Sequence, residues 1–143
     1  MKDRSDLIEK IAEIRKLTGT IYKKVEIESV DISFSSIIVL LKIFKEKKDV
    51  TMSTISELTG FSNALITFSI DELENKGIVE RIRGLDRRNV FVRITPRGID
   101  FANELSEKIQ ETFSKIFGNM SEEDYRDLLN SLEKSISIIK KYL

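Results

Sequence analysis

Residues 71–99 read DELENKGIVERIRGLDRRNVFVRITPRGI, and the order of residue types in this stretch decides the fold. It opens on the end of an amphipathic helix and stops at Gly77, a residue that accepts a left-handed backbone without steric cost. A short alternating run follows, with Ile78 and Ile82 set against Val79, Arg81 and Arg83. Gly84-Leu85-Asp86-Arg87-Arg88-Asn89 is a polar loop, after which Val90, Val92 and Ile94 alternate with Phe91 and Arg93. Thr95 is then an N-cap and Pro96 a first-turn residue, where the missing proline N–H costs nothing. The pattern predicts helix, β-hairpin and helix in succession.

The same stretch holds most of the charge information. From Lys76 to Arg97 there are seven bases (Lys76, Arg81, Arg83, Arg87, Arg88, Arg93 and Arg97) and two acids, Glu80 and Asp86, a net +5. The whole chain balances 24 Lys and Arg against 24 Asp and Glu, so everything outside this window carries −5. Neutrality hides a dipolar arrangement. A compact positive hairpin on an acidic body predicts a surface that meets a polyanion, most often nucleic acid.

Upstream of the hairpin, helices are predicted over 52–59 and 62–76, separated by Gly60-Phe61, which is a helix-turn-helix pattern. Ile55, Leu58 and Phe61 are its expected core. Ile66, Ile70 and Leu73 share one face of the second helix, and Asn63, Ala64, Thr67 and Asp71 point the other way. Ser62 can cap that helix. A further helix is expected over 34–47.

Long amphipathic helices flank this centre. From Ser5 to about residue 27 a stripe runs through Leu7, Ile11, Ile14, Thr18, Ile21 and Val25, widened by Ile8, Leu17 and Tyr22. Gly19 interrupts it at about 1 kcal/mol relative to alanine, either as a bend or as a tolerated glycine. Pro96 to about Phe117 places Ile99, Ala102, Leu105, Ile109, Phe113 and Ile116 inward, and Gly118-Asn119 ends it. Ser121 then caps a helix whose stripe is Tyr125, Leu129, Leu132, Ile136, Ile139 and Leu143, with Glu122, Glu123 and Asp124 at the positive end of its dipole. These stripes pack either on the centre of the same chain or on a second copy. A centre of roughly 60–70 residues is small for three long helices, which favours a symmetric dimer.

Composition narrows the rest. At 143 residues and 41% apolar content the chain is expected to be one domain or two small, tightly coupled pieces, and 34% charged residues suit a soluble protein. No apolar run exceeds Ile37 to Leu41, so no membrane span is expected, and the charged start without an apolar stretch behind it predicts a cytoplasmic protein. With no cysteine and no histidine, disulfides, thiolate metal sites and the commonest general base are excluded. No metal or cofactor is expected. An enzyme is the poorer reading, because no acid cluster stands out from solvated helix faces.

Three segments together resemble the MarR family of winged helix-turn-helix transcription regulators. They are Ile55-Ser56-Glu57-Leu58-Thr59-Gly60-Phe61-Ser62, Leu73-Glu74-Asn75-Lys76-Gly77-Ile78-Val79-Glu80-Arg81, and Asp86-Arg87-Arg88 followed by Ile94-Thr95-Pro96-Arg97-Gly98. The resemblance implies a mainly α fold with a small β-hairpin wing. A winged helix-turn-helix over 33–97 would sit within a single 1–143 domain, flanked by dimerisation helices in 1–30 and 98–143. It implies a homodimer on palindromic DNA, with the second helix of the motif in the major groove and the wing toward the minor groove. Asp86 and Arg88 match the family's Asp-x-Arg, in which the arginine enters the minor groove and the aspartate holds it in place. Family members often bind small aromatic effectors; Tyr22, Phe34, Phe44, Phe101 and Phe113 either line such a cleft or are plain core.

This chain departs from the family in having no lysine or arginine between Lys48 and Lys76, with Leu65 and Phe68 at positions that are usually polar. Its wing is one residue shorter between Arg81 and Asp86. Base contacts therefore rest on Ser62, Asn63, Ala64 and Thr67, where asparagine suits adenine and the methyl groups suit thymine, so an A·T-rich site is expected. Phe68 is expected to pack on the helix-turn-helix core, the alternative being another apolar contact to thymine. Ser53, Thr54, Arg83 and Arg87 are assigned to phosphates. Arg81 is open between an internal ion pair and the outer surface. Dimer contacts are assigned to Leu7, Ile11, Ile14, Leu129, Leu132, Ile136 and Ile139. The leading expectation is a dimeric DNA-binding repressor; the alternative is a winged-helix protein–protein adaptor without DNA binding.

Overall fold

The computed structural model describes residues 2–25, 31–86 and 88–143. The end expected for the first helix near residue 27, and Arg87, lie outside the described residues. The elements are α1 (Ser5–Lys23), α2 (Phe34–Glu46), β1 (Val50–Thr51), α3 (Met52–Thr59), α4 (Asn63–Asn75), β2 (Val79–Arg83), β3 (Val90–Ile94), α5 (Pro96–Phe117) and α6 (Glu122–Tyr142). They fall into two units, residues 1–112 and 113–143.

Local chemistry sets the helix ends in the first unit. Ser33, Thr51 and Ser62 have extended backbones, and each hydroxyl accepts the N–H three residues on, from Ser36, Thr54 and Leu65. Gly60 (φ 70°) stops α3, its N–H donating to the Ser56 carbonyl at 2.8 Å. Gly77 (φ 71°) ends α4 in a Schellman turn, with Ile78 N–H on the Leu73 carbonyl and Gly77 N–H on that of Glu74, both at 2.9 Å. Both glycines do what the sequence predicts.

The hairpin is part of a three-stranded antiparallel sheet of order β1-β3-β2. The sequence reading of a two-stranded wing omits β1, whose two residues pair as Val50 with Val92 and Thr51 with Phe91. A two-residue strand has no periodicity to detect; β3 supplies its pairing partner. In the β2–β3 register Val79 meets Ile94, Arg81 meets Val92 and Arg83 meets Val90. Val79 and Val92 are buried beneath the sheet with Ile55, Ile66, Ile70, Leu73, Leu40, Ile43, Phe101, Ala102 and Leu105.

The register of α5 depends on Gly98. Thr95 donates its hydroxyl to the Gly77 carbonyl at 2.6 Å and accepts the Gly98 N–H at 3.0 Å, while its own N–H donates to the Ile78 carbonyl at 3.1 Å. The first turn of α5 is thereby seated on the end of α4 and the start of β2. A Cβ at Gly98 would overlap the Ile78 carbonyl oxygen and press on Ile94 Cγ2 at 2.7 Å.

Four expectations about the core need correction. Ile55 is fully buried and Phe61 packs, partly buried, against the same cluster, but Leu58 is only partly buried. Phe101 replaces Ile99 inside, because α5 turns Phe101, Ala102 and Leu105 inward and leaves Ile99 exposed. Phe113 and Ile116 are also exposed. Phe68 does not pack on the core, being 53% exposed. Around Gly19 nothing lies within 4 Å of an added Cβ, and α1 continues through it.

The second unit contains the end of α5 and α6. Phe113 and Phe117 stack at 5.8 Å, and Ser121 caps α6 by accepting the Asp124 N–H at 3.0 Å. No residue of α6 is buried.

Candidate nucleic-acid interface

The outer face of α4 carries almost no free charge. Ile66, Ser69, Ile70 and Leu73 are buried, so the helix presents Asn63, Ala64, Thr67, Phe68 and Asp71 to solvent. Ser62 accepts the capping N–H and keeps its hydroxyl proton for a further partner. In α3, Ser53 is exposed. Thr54 is half-buried; its N–H donates to Thr51 Oγ1 at 3.1 Å and its own hydroxyl accepts from Thr51 at 3.0 Å. The Thr54 hydroxyl still has a proton to donate.

The wing loop is closed by its own backbone. Gly84 N–H donates to the Asn89 carbonyl at 3.1 Å, and Asn89 N–H to that of Asp86 at 3.0 Å. Asp86 Oδ1 accepts the backbone N–H of Arg88 at 3.2 Å. This carboxylate therefore holds the loop backbone at Arg88. Arg83 and Arg88 are exposed and make no ion pair among the described residues.

Among the described residues, Arg81 and Arg93 of this window are used internally. Arg81 donates to Asp71 at 2.6 Å and to Glu74 at 2.8 Å, and its backbone N–H reaches Glu74 Oε2 at 3.0 Å. Partial burial works against its charge, yet the Asp71 and Glu74 carboxylates outweigh this and raise its pKa. The sequence left Arg81 open; here it joins the root of the wing to the outer face of α4. Arg93 forms a two-point pair with Asp49, at 2.7 and 3.0 Å, and this pairing lowers the Asp49 pKa. No local signal links residues 49 and 93, so the sequence reading missed the pair.

A hydroxyl cluster sets α4 against α2. Glu72 Oε1 accepts the Ser33 N–H at 2.8 Å and the Ser33 hydroxyl at 2.9 Å, while Ser69 donates to Ser35 at 3.0 Å and the buried Ser36 to the Ser69 carbonyl at 3.4 Å. Sequence reasoning missed this cluster too, although the run Ser33, Ser35, Ser36 facing an acidic helix was a usable hint.

The remaining assignments are dispersed. Leu7, Ile11 and Ile14 on α1 are exposed, and so are Leu129, Leu132, Ile136 and Ile139 on α6. Tyr22 and Phe34 meet edge-on at 5.2 Å. Phe101 is core, and Phe113 belongs to the C-terminal unit. Phe44 lines a separate hollow of about 420 Å³ with Ile43, Lys47, Arg93, Ile94 and Ile99 among its walls.

Residues 20–116 match the model of the transcriptional regulator SarA/Rot family. The HTH-type transcriptional regulator SarZ of Staphylococcus epidermidis is 27% identical over 107 residues, covering 74% of this chain and 70% of that protein. Among solved structures, Streptococcus pneumoniae FabT, crystallised with DNA, superposes at a TM-score of 0.73 with 25% identity, over 99% of this chain and 100% of that one. The apo form of Escherichia coli MarR superposes at 0.72 with 19% identity, over 94% and 97% of the two chains. The family match spans well over half of a chain whose winged helix-turn-helix carries a cationic loop, and the protein belongs to the SarA/Rot family of MarR-like, DNA-binding transcriptional regulators.

Proposed function

We propose that two copies of this chain bind one palindromic, A·T-rich duplex and repress the promoter it lies in. Residues 33–97 form the DNA-binding part, and 1–30 with 98–143 the dimerisation part. Ser62, Asn63, Ala64 and Thr67 enter the major groove, and Ser53, Thr54, Arg83 and Arg87 hold phosphates. Arg88 reaches the minor groove from a loop that Asp86 keeps closed. The observation that carries this reading is the pairing of two unlike surfaces. Arg83 and Arg88 make no ion pair among the described residues, and Arg81 ties the root of their hairpin to the outer face of α4. Narrow A·T-rich minor grooves concentrate negative potential, which suits an extended guanidinium. Dimerisation is supported by the exposed apolar stripes of α1 and α6.

A small aromatic effector completes the proposal. Of the five aromatics singled out, Tyr22 and Phe34 are in ring contact with Phe34 41% exposed, which gives an incoming ring somewhere to stack. An adaptor role is less well supported, since a protein contact does not require a net +5 on one hairpin.

The test is titration of a labelled duplex, enriched by the protein from a random pool, over a range of salt concentrations. Arg88→Ala is expected to weaken binding by roughly 1–3 kcal/mol, and Arg87→Ala to flatten the salt slope by about one unit. If both variants bind like the parent, the wing assignment is wrong.

A further inference from the structure

We propose that Phe68 is a specificity-determining residue that reads the 5-methyl groups of thymine in the major groove; this rests on the DNA-binding role of α4 argued above. At 53% exposure its ring is more open to solvent than any other large apolar side chain on the described helices between residues 33 and 97. It lies one turn beyond Ala64 and beside Thr67, on the face opposite Ile66, Ile70 and Leu73.

Elimination on this face leaves little else for it to do. No lysine or arginine occurs on α4, so guanine cannot receive the two-point contact that usually selects it. The acid of the face, Asp71, is held by Arg81 at 2.6 Å and would have to give up that bond to accept from cytosine. The same bond offsets a negative charge that would otherwise face phosphates. What remains is Asn63, whose amide suits adenine, and an apolar strip of the Ala64 methyl, the Thr67 methyl and the Phe68 ring. The thymine methyl is the apolar group that a base pair offers in the major groove. Both strands of an A·T pair are thus read, one by hydrogen bonds and the other by apolar contact.

The test removes that methyl alone. In a duplex enriched by the full-length protein from a random pool, thymines are replaced singly by deoxyuridine. One or two thymines per half-site should each weaken wild-type binding by about fourfold when replaced, the value of burying one such carbon. Phe68→Ala, which removes the ring from both half-sites, should lose at least about the square of that factor on the parent duplex and become indifferent to uracil at those positions, whereas Phe68→Leu should keep part of the discrimination. The proposal is overturned if Phe68→Ala binds the parent duplex like wild type, or still responds to each uracil as wild type does. The ring would then belong to a protein contact. Binding that tolerates uracil everywhere also removes this assignment while leaving the DNA interface intact; failure to enrich any duplex removes the interface itself.

Discussion

A methyl group at Gly98 would overlap the carbonyl oxygen of Ile78, and neither the helix turn nor the strand start can move without breaking the Thr95 hydrogen bonds that join them. Gly98→Ala is therefore expected to destabilise the protein by roughly 3 kcal/mol, the upper end for an overpacked site. Urea unfolding should show a lower midpoint at unchanged slope; a shift of less than a third of this would mean that α5 relaxes easily. Glu72 makes a pH-dependent case. Burial works to raise its pKa, but the Ser36 and Ser33 hydroxyls, the Ser33 N–H and nearby Lys76 outweigh it and hold the carboxyl below its ordinary value. A depressed folded-state pKa gives stability that is present above the unfolded value, about 4.3, and is lost as pH falls through the folded one. Wild type should thus be more stable than Glu72→Gln at pH 7, and the gap should close in unfolding measured near pH 3. A gap that persists in acid would show that hydrogen-bond geometry, not ionisation, is what Glu72 contributes.

Between elements, Arg81 joins the wing to α4. One side chain bridges Asp71 and Glu74 on α4 from its place on β2. Its loss would free two carboxylates beside the proposed phosphate path and loosen the wing from the reading helix. Arg81→Met should weaken DNA binding by more than tenfold, and adding Asp71→Asn should recover part of that loss. If the double variant binds no better than the single one, the Arg81–Asp71 pair is not what keeps the face neutral. The elements themselves were largely legible, since a cap, a glycine stop or a Thr-Pro start acts over four or five residues. β1 was not legible, nor was the use of Arg93, because each is decided by a partner about forty residues away.

For the whole molecule, the open question is what covers α1 and α6. Leu7, Ile11 and Ile14 on one helix, and Leu129, Leu132, Ile136 and Ile139 on the other, remain 39–54% exposed. Completing the burial of each would contribute on the order of 1 kcal/mol, enough together to hold two chains. Leu132→Lys combined with Ile136→Lys should convert the proposed dimer to a monomer in sedimentation, and should abolish the rise of melting temperature with protein concentration expected of the parent. A double variant that sediments like the parent would place the dimer contact elsewhere.

The residue order by itself determined the succession of helices, the hairpin, the turn glycines and the family resemblance, because those follow from hydrophobic period, capping and backbone stereochemistry, which are local. Only the tertiary structure decided which charges remain free. Ion pairs and hydroxyl–carboxylate contacts form between side chains that the fold brings within 3 Å, whatever their separation in the chain. It took two arginines out of the cationic surface and left Phe68 facing solvent.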